Sequence, residues 1–440
     1  MDATTSSALE QRLTLFDMIM IAVGSTIGSG IFLTPSMIAG ALPSPHFIVI
    51  VWILGGIMAL SGALTYAELG ALFPKAGGVY VFLKESYGEF AGFLFGWAYF
   101  LVVNTGAIAA LSIAFATYFG YFVPLSPAGI KLCAVSGIVI VTAINVRGVK
   151  TGGIFSDVFT VLKLVGIAGI IVIGFLWGNA SKSDFTSLTV PGNLSGGFAI
   201  AMVGVLWSYG GWQHATFASA EAKQPHRTIP LAMVIGAMIV TLVYVSVNVA
   251  YLFLLTPGQI AHSSSLAADA VETVIGRAGG GAIAVAIFIS TFGTTGIFTL
   301  TAPRIYYAMA SDGLFIRTLA KIHPQFHTPA NAILIQSLWA IVLILFWGTF
   351  ENLISYVVFT DWIFFALTAA SVFVFRRKFP NRERRYKTFG YPVTPLIFIS
   401  FALWFVVSTL IEKPAQAWAG ILMLLLGLPV FYAMKKKRAL

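Results

Sequence analysis

Gly24-Ser25-Thr26-Ile27-Gly28-Ser29-Gly30-Ile31-Phe32 puts three glycines and three hydroxyl residues in the middle of the first long apolar run of the chain. Glycine costs about 1 kcal/mol relative to alanine inside a helix. A helix broken in hydrocarbon leaves peptide groups unsatisfied unless they line a polar cavity. The stretch therefore predicts an unwound segment that faces a ligand. A second interruption, Trp207-Ser208-Tyr209-Gly210-Gly211-Trp212, recurs five apolar runs later. Interruptions paired in this way point to a substrate site at the middle of a membrane bundle.

Composition agrees with a membrane setting. The 440 residues are 58% hydrophobic and 10% charged, with mean hydropathy +0.91, far from the balance of a soluble domain. Runs of about 20 apolar residues, enough to cross a bilayer, recur about twelve times between residues 15 and 434. The predicted fold is an all-α membrane protein of twelve helices, with the first and sixth broken. Five spans separate the two breaks, so the second set of five runs in the opposite direction, an inverted repeat. Residues 15–178 form the first repeat and 195–375 the second. Residues 393–434 supply two appended helices, and 1–14 and 435–440 are tails.

The net charge of +10 does not predict a nucleic-acid partner, because it alternates with topology. With both termini inside, all but five of the 26 Lys and Arg fall on the cytoplasmic side. The exceptions are Lys131, Lys182, Arg277 and Lys413 outside and Lys163 within a span. This bias sets the orientation expected in the plasma membrane. The Arg376 to Lys387 cluster reads as an anchor at anionic membrane lipid. The first residues, with Asp2 and Glu10, read as a retained cytoplasmic tail and not a signal peptide.

Chemistry is expected at the breaks. Unwinding exposes amides at the N-terminus of the following half-helix, where a carboxylate fits. Thr26, Ile27, Gly28, Ser29, Gly30 and Ile31 are therefore the candidate carboxylate cradle, through the amides of Ser29 to Ile31 and the hydroxyls of Thr26 and Ser29. Close helix packing through small residues is the competing reading of these glycines. In the second break the carbonyls of Trp207, Ser208 and Gly210, with that of Thr26, would accept from an α-ammonium. Lys163 sits in mid-span, where a lysine costs several kcal/mol and requires a partner or cavity. It either ties the first segment to the fifth or releases a proton. Asp361, in the tenth span, either reads a polar or cationic substrate side chain, carries a coupled proton, or lies near the extracellular mouth. Gly106 and Ala107 leave space in the third span. Thr294, Thr295 and Thr299 either face the substrate or bond their own helix. His214 reads as a capped polar residue near the cytoplasmic end, or a pH sensor.

The histidines form no metal-spaced pair, and no phosphate-binding Gly-rich loop ends in Lys-Ser/Thr, so neither an enzyme nor a metal or other cofactor is expected. Cys133 is the single cysteine and reads as a buried packing residue.

Several stretches then become familiar. Gly28-Ser29-Gly30-Ile31-Phe32-Leu33-Thr34-Pro35, Tyr66-Ala67-Glu68-Leu69-Gly70 running to Pro74-Lys75-Ala76-Gly77-Gly78, Tyr209-Gly210-Gly211-Trp212 and Gly427-Leu428-Pro429-Val430 resemble the amino acid/polyamine/organocation superfamily, and within it the L-type amino acid transporter branch. The resemblance implies a LeuT-type five-plus-five fold and alternating access. It implies that Trp207 closes over the substrate, although a membrane tryptophan also suits the interfacial belt. It places Lys163 where sodium-coupled relatives hold a cation, implying sodium independence, and Glu68 in an inner gate partnered by Lys75 or Arg147. Tyr244 and Asn248 match family residues near the pocket. Asp361 departs from the pattern, where an asparagine is expected. The loop Val123-Pro124-Leu125-Ser126-Pro127 lacks the cysteine that joins animal relatives to a heavy chain, so no disulfide-linked partner is expected. The implied activity is sodium-independent exchange of neutral L-amino acids. The alternatives are a proton-coupled symporter and an amino acid sensor that does not transport.

Overall fold

The structure, a computed structural model, describes residues 9, 11–186, 190, 192–347, 350–412 and 414–439. Asp2, Glu10 and Lys413, read above as tail and loop charges, lie outside the described residues.

The chain is helical throughout. The first apolar run is two helices, α1 (Leu15–Thr26) and α2 (Gly30–Ala41), followed by α3 (Pro45–Leu72), α4 (Val79–Tyr87) and α5 (Glu89–Ala98). A π-helical turn, Tyr99–Val103, joins α5 to α6 (Asn104–Phe119), and α7 (Pro127–Val146) and α8 (Val149–Trp177) complete the first half. The second half begins with another pair, α9 (Leu194–Tyr209) and α10 (His214–Phe217), then α11 (Pro225–Leu254), α12 (Pro257–His262), α13 (Leu266–Ile275) and α14 (Arg277–Thr301). It continues with α15 (Pro303–Ser311), α16 (Ala330–Trp347) and α17 (Phe350–Lys378), and α18 (Val393–Glu412), α19 (Pro414–Leu425) and α20 (Gly427–Ala439) close the chain. Ten helical stretches among the described residues are long and apolar enough to cross a bilayer, and Leu194–Tyr209 and Ala330–Phe346 are shorter apolar helices. The sixth run falls short because it is broken at Gly210.

Local chemistry sets the helix ends. Thr14 caps α1 in a reciprocal box with Asp17, accepting from the Asp17 amide at 3.3 Å while Asp17 Oδ2 accepts from the Thr14 amide at 2.6 Å. Ser126 caps α7 ahead of Pro127, a position where proline lacks only an N–H that would be unpaired anyway. The helices α4, α12 and α13 lie between spans and were not anticipated as separate elements.

Packing places the broken run centrally. The α1 segment contacts α8, α11 and α14, while α2 lies along α9. Every residue from Met20 to Phe32 is buried. The outer helices do the reverse: Val158, Val165 and Leu176 of α8 and Leu403 and Ile411 of α18 are exposed. Large apolar surfaces of this kind are stable only against lipid or another apolar surface.

Candidate functional site

Two helix breaks meet back to back. Ile27 to Ser29 separate α1 from α2, and Gly210 to Gln213 separate α9 from α10. A Cβ on Gly30 would lie 2.7 Å from Ser208 Cα, and one on Gly211 would lie within 2.6 Å of Ser25 O, Ser25 C and Thr26 N. Only glycine allows backbone to meet backbone at these points. The Ser25 hydroxyl lies 2.8 Å from the Gly211 carbonyl, and the Thr34 and Ser208 hydroxyls are 2.9 Å apart.

The C-terminal end of α1 exposes carbonyls that an unbroken helix would bond. Lys163 answers this. Its Nζ, 1% exposed as a residue, donates to Gly24 O at 2.9 Å, Ile27 O at 2.7 Å and Thr294 Oγ1 at 2.6 Å. Three acceptors match the three N–H bonds of an ammonium, so the mid-span lysine is satisfied by the break itself. Tyr244 serves the neighbouring carbonyls: its hydroxyl lies 2.9 Å from Thr26 O and 3.0 Å from Ser208 O. The Trp207 carbonyl accepts from the Gly210 amide at 3.2 Å. Of the carbonyls expected to be free for an ammonium, that of Thr26 also accepts from the Gly28 amide at 3.0 Å, so both of its lone pairs are engaged, whereas that of Gly210 accepts nothing among the described residues.

The opposite edge of the break is unserved. The amides of Ser29, Gly30 and Ile31 find no acceptor among the described residues, and buried Ser29 Oγ has no partner. Four donors therefore converge at the start of α2, where the helix dipole adds partial positive charge. The Thr26 hydroxyl does not join them, because it donates to Ala22 O at 2.8 Å.

These groups border a cavity whose free volume is about 40 Å³ measured to the centres of water-sized spheres, room for roughly three waters. Of the residues singled out from sequence, Thr26, Gly28, Ser29, Gly30, Ala107, Trp207, Gly210, Thr294 and Asp361 line it. Ile27, Ile31, Ser208, Lys163 and Tyr244 stand behind its wall, buried. Gly106 faces Val357 instead, and the Thr295 hydroxyl donates to Thr291 O at 2.9 Å on its own helix. Sequence reasoning missed Tyr99 and Val103, which line the cavity from the π-helical turn; such turns recur at functional sites, but nothing in Tyr99–Val103 announces one. It also missed Gln213, whose Oε1 accepts from the Gly211 amide at 2.9 Å. Beneath the cavity, fully buried His214 lies 3.0 Å from the Tyr99 hydroxyl and 2.5 Å from Thr301 Oγ1. It is a structural bridge between broken run, third span and α14, not a capped residue at the helix end.

Ion pairs hold the basic end of the bundle, with partners other than those expected. Glu68 bonds neither Lys75 nor Arg147. It accepts from Arg376 at 3.0 and 2.7 Å and from the Thr388 amide and hydroxyl at 2.8 Å. Arg376 also stacks on Tyr391 at 3.6 Å, so part of the basic cluster read as a lipid anchor is internal. Arg304, counted among the basic residues of the cytoplasmic side, is buried and bonds Glu221 at 2.7 and 3.0 Å. The Glu221 backbone carbonyl accepts from the Leu13 amide at 2.9 Å and the Leu13 carbonyl accepts from the Lys223 amide at 2.7 Å, which ties the segment before α1 to the segment after α10. At the same end Asp312 accepts from Tyr80 and Lys84, each at 2.6 Å; burial and this carboxylate hold the Tyr80 phenol well above its ordinary pKa.

The chain matches the amino acid permease family over residues 13–431. It belongs to that family. The permease is 34% identical to the serine/threonine exchanger SteT of Bacillus subtilis (strain 168), across 99% of both chains. It is 30% identical to the b(0,+)-type amino acid transporter 1 of Mus musculus, over 97% of this chain and 88% of that one. Against the large neutral amino acids transporter small subunit 2 of the same organism the values are 32%, 97% and 81%. The resemblance read from the motifs therefore holds, and these relatives are transporters, not enzymes. The permease is a multi-pass membrane protein of amino acid transport.

Proposed function

We propose that the permease exchanges neutral L-amino acids across the cell membrane by alternating access, without sodium. One observation carries the reading: the three unpartnered amides and the unpartnered Ser29 hydroxyl at the start of α2 open onto a small cavity, beside a second break rich in carbonyls. A zwitterion answers both edges. Its α-carboxylate takes the Ser29, Gly30 and Ile31 amides, and its α-ammonium takes the Gly210 carbonyl with those of Trp207 and Ser208, the Thr26 carbonyl being already engaged by Gly28 and Tyr244. Trp207 closes over it and Ala107 leaves room for its side chain. Lys163 holds the α1 carbonyls as a fixed cation, in the place of sodium, and Glu68 belongs to the inner gate.

The ten long and two shorter apolar helices support twelve spans in a LeuT-type arrangement, with 15–178 and 195–375 as inverted repeats and both termini cytoplasmic. Cys133 lies within α7, away from the preceding loop, so the permease works without a disulfide-linked heavy chain. That the Bacillus subtilis relative is an exchanger favours exchange.

The test is uptake of labelled L-alanine and L-serine by purified protein in sodium-free proteoliposomes at equal pH. Uptake only into vesicles preloaded with unlabelled amino acid is the expected result. Uptake into empty vesicles that grows with an inward proton gradient replaces exchange with proton symport. Binding without uptake under either condition leaves a sensor.

A further inference from the structure

Among the described side chains that line the cavity, only two have a buried polar atom with no hydrogen-bond partner: Ser29 Oγ and Asp361 Oδ1. Ser29 belongs to the carboxylate edge. Asp361 stands on α17, 8% exposed, and the same cavity is lined by Val357, Val358 and Trp362 of its own helix and by Tyr99 and Val103 of the π-helical turn. A buried carboxylate oxygen without a donor is costly, and a ligand in the cavity can supply one to Oδ1. With the α-ammonium assigned to the carbonyls of the second break, that donor is on the substrate side chain.

We propose that Asp361 selects amino acids with a hydroxyl on a short side chain, its free Oδ1 accepting the substrate O–H. This rests on the assignment of the substrate poles made above. An ammonium carries three N–H bonds that need three acceptors, and among the cavity-lining side chains of α17 and the π-helical turn only Tyr99 offers an acceptor besides Asp361, its hydroxyl already 3.0 Å from His214; a hydroxyl needs one acceptor. Alanine or 2-aminobutyrate leaves Oδ1 unpaired, and a site built around a hydrogen bond discriminates strongly against the analogue that lacks it.

Competition binding on the purified, detergent-solubilised full chain tests this without requiring transport. Labelled L-serine is displaced by L-serine, L-alanine, L-threonine, L-2-aminobutyrate and L-2,3-diaminopropionate. Serine is expected to bind about ten- to a hundred-fold tighter than alanine, the range for a hydrogen bond to a charged group, and threonine to exceed 2-aminobutyrate in the same sense. In Asp361→Ala the serine-to-alanine ratio collapses to within about two-fold, and Asp361→Asn, whose amide oxygen still accepts, retains part of it. Equal affinity for serine and alanine in the unmodified protein, tighter binding of diaminopropionate than serine, or a ratio preserved in Asp361→Ala overturns the proposal. The unmodified protein's ratio decides even where a variant fails to fold. Vesicle exchange of alanine without discrimination removes the hydroxyl reading and keeps transport; discrimination without exchange does the opposite.

Discussion

Two adjacent glycines of the second break respond oppositely to the same substitution. Gly211 has φ +136°, and a Cβ there would lie 2.4 Å from Ser25 O and 2.6 Å from Thr26 N. Ordinary contact requires the two breaks to part by about 1 Å, and both neighbours are backbone atoms that no rotamer change can clear. Positive φ costs a non-glycine residue about 1–2 kcal/mol, and overpacking a tight contact costs about 1–3 kcal/mol more. Gly211→Ala therefore loses roughly 2–5 kcal/mol of a net stability of ~5–15 kcal/mol, together with the Ser25 to Gly211 hydrogen bond. Gly210 has φ −72°, and its Cβ would meet only Leu206 O at 3.4 Å and Trp207 O at 3.5 Å, so Gly210→Ala folds normally. The assay is the thermal midpoint of detergent-solubilised protein followed by size-exclusion chromatography, with exchange in proteoliposomes alongside. Gly211→Ala is expected to melt roughly 2–5 °C lower and to exchange poorly, with Gly210→Ala melting near the parent. Equal midpoints for the two variants, or a Gly211→Ala protein as stable and active as the parent, refute the back-to-back contact of the breaks.

Removing the Lys163 ammonium by Lys163→Met strips donors from Gly24 O and Ile27 O, and the single proton of Thr294 can serve only one of them, so at least one buried carbonyl is orphaned at about 1–3 kcal/mol. A lower melting midpoint and at least about ten-fold slower exchange are expected, with no gain of sodium dependence; a variant indistinguishable from the parent in midpoint and rate shows that the knot is dispensable. Ser29→Ala should behave differently, because its hydroxyl bonds nothing in the empty protein. Its midpoint stays within about 1 °C while affinity for amino acids falls about two- to ten-fold, the worth of one hydrogen bond; a large stability loss at unchanged affinity would contradict the carboxylate assignment.

The residues at the breaks show how far local chemistry reaches. Glycine and serine clusters in apolar runs betrayed both interruptions, and the mid-span position of Lys163 demanded a partner. The reading that Lys163 ties the first segment to the fifth named the partner element, but not its atoms, the C-terminal carbonyls of α1, nor Thr294, because those lie 131 to 139 residues away in the chain. Glu68 makes the same point: its guanidinium comes from Arg376, 308 residues on, where sequence reasoning looked to the nearest basic loops.

What the sequence alone determined is what depends on composition and near neighbours: a membrane bundle, its segment ends, the two breaks and the residue types at them, and the family. Tertiary structure decided which lone pairs and amides are already used, that Thr26 Oγ1 is taken and Ser29 Oγ is not, that Thr295 turns to its own helix and Asp361 toward the cavity, and that Tyr99–Val103 winds as a π turn. The reason is physical. In a soluble helix, amphipathic contrast tells which face is inward; in a bilayer the lipid tails are as apolar as the core side chains, so hydropathy carries almost no record of rotation, and only packing sets which way each side chain points.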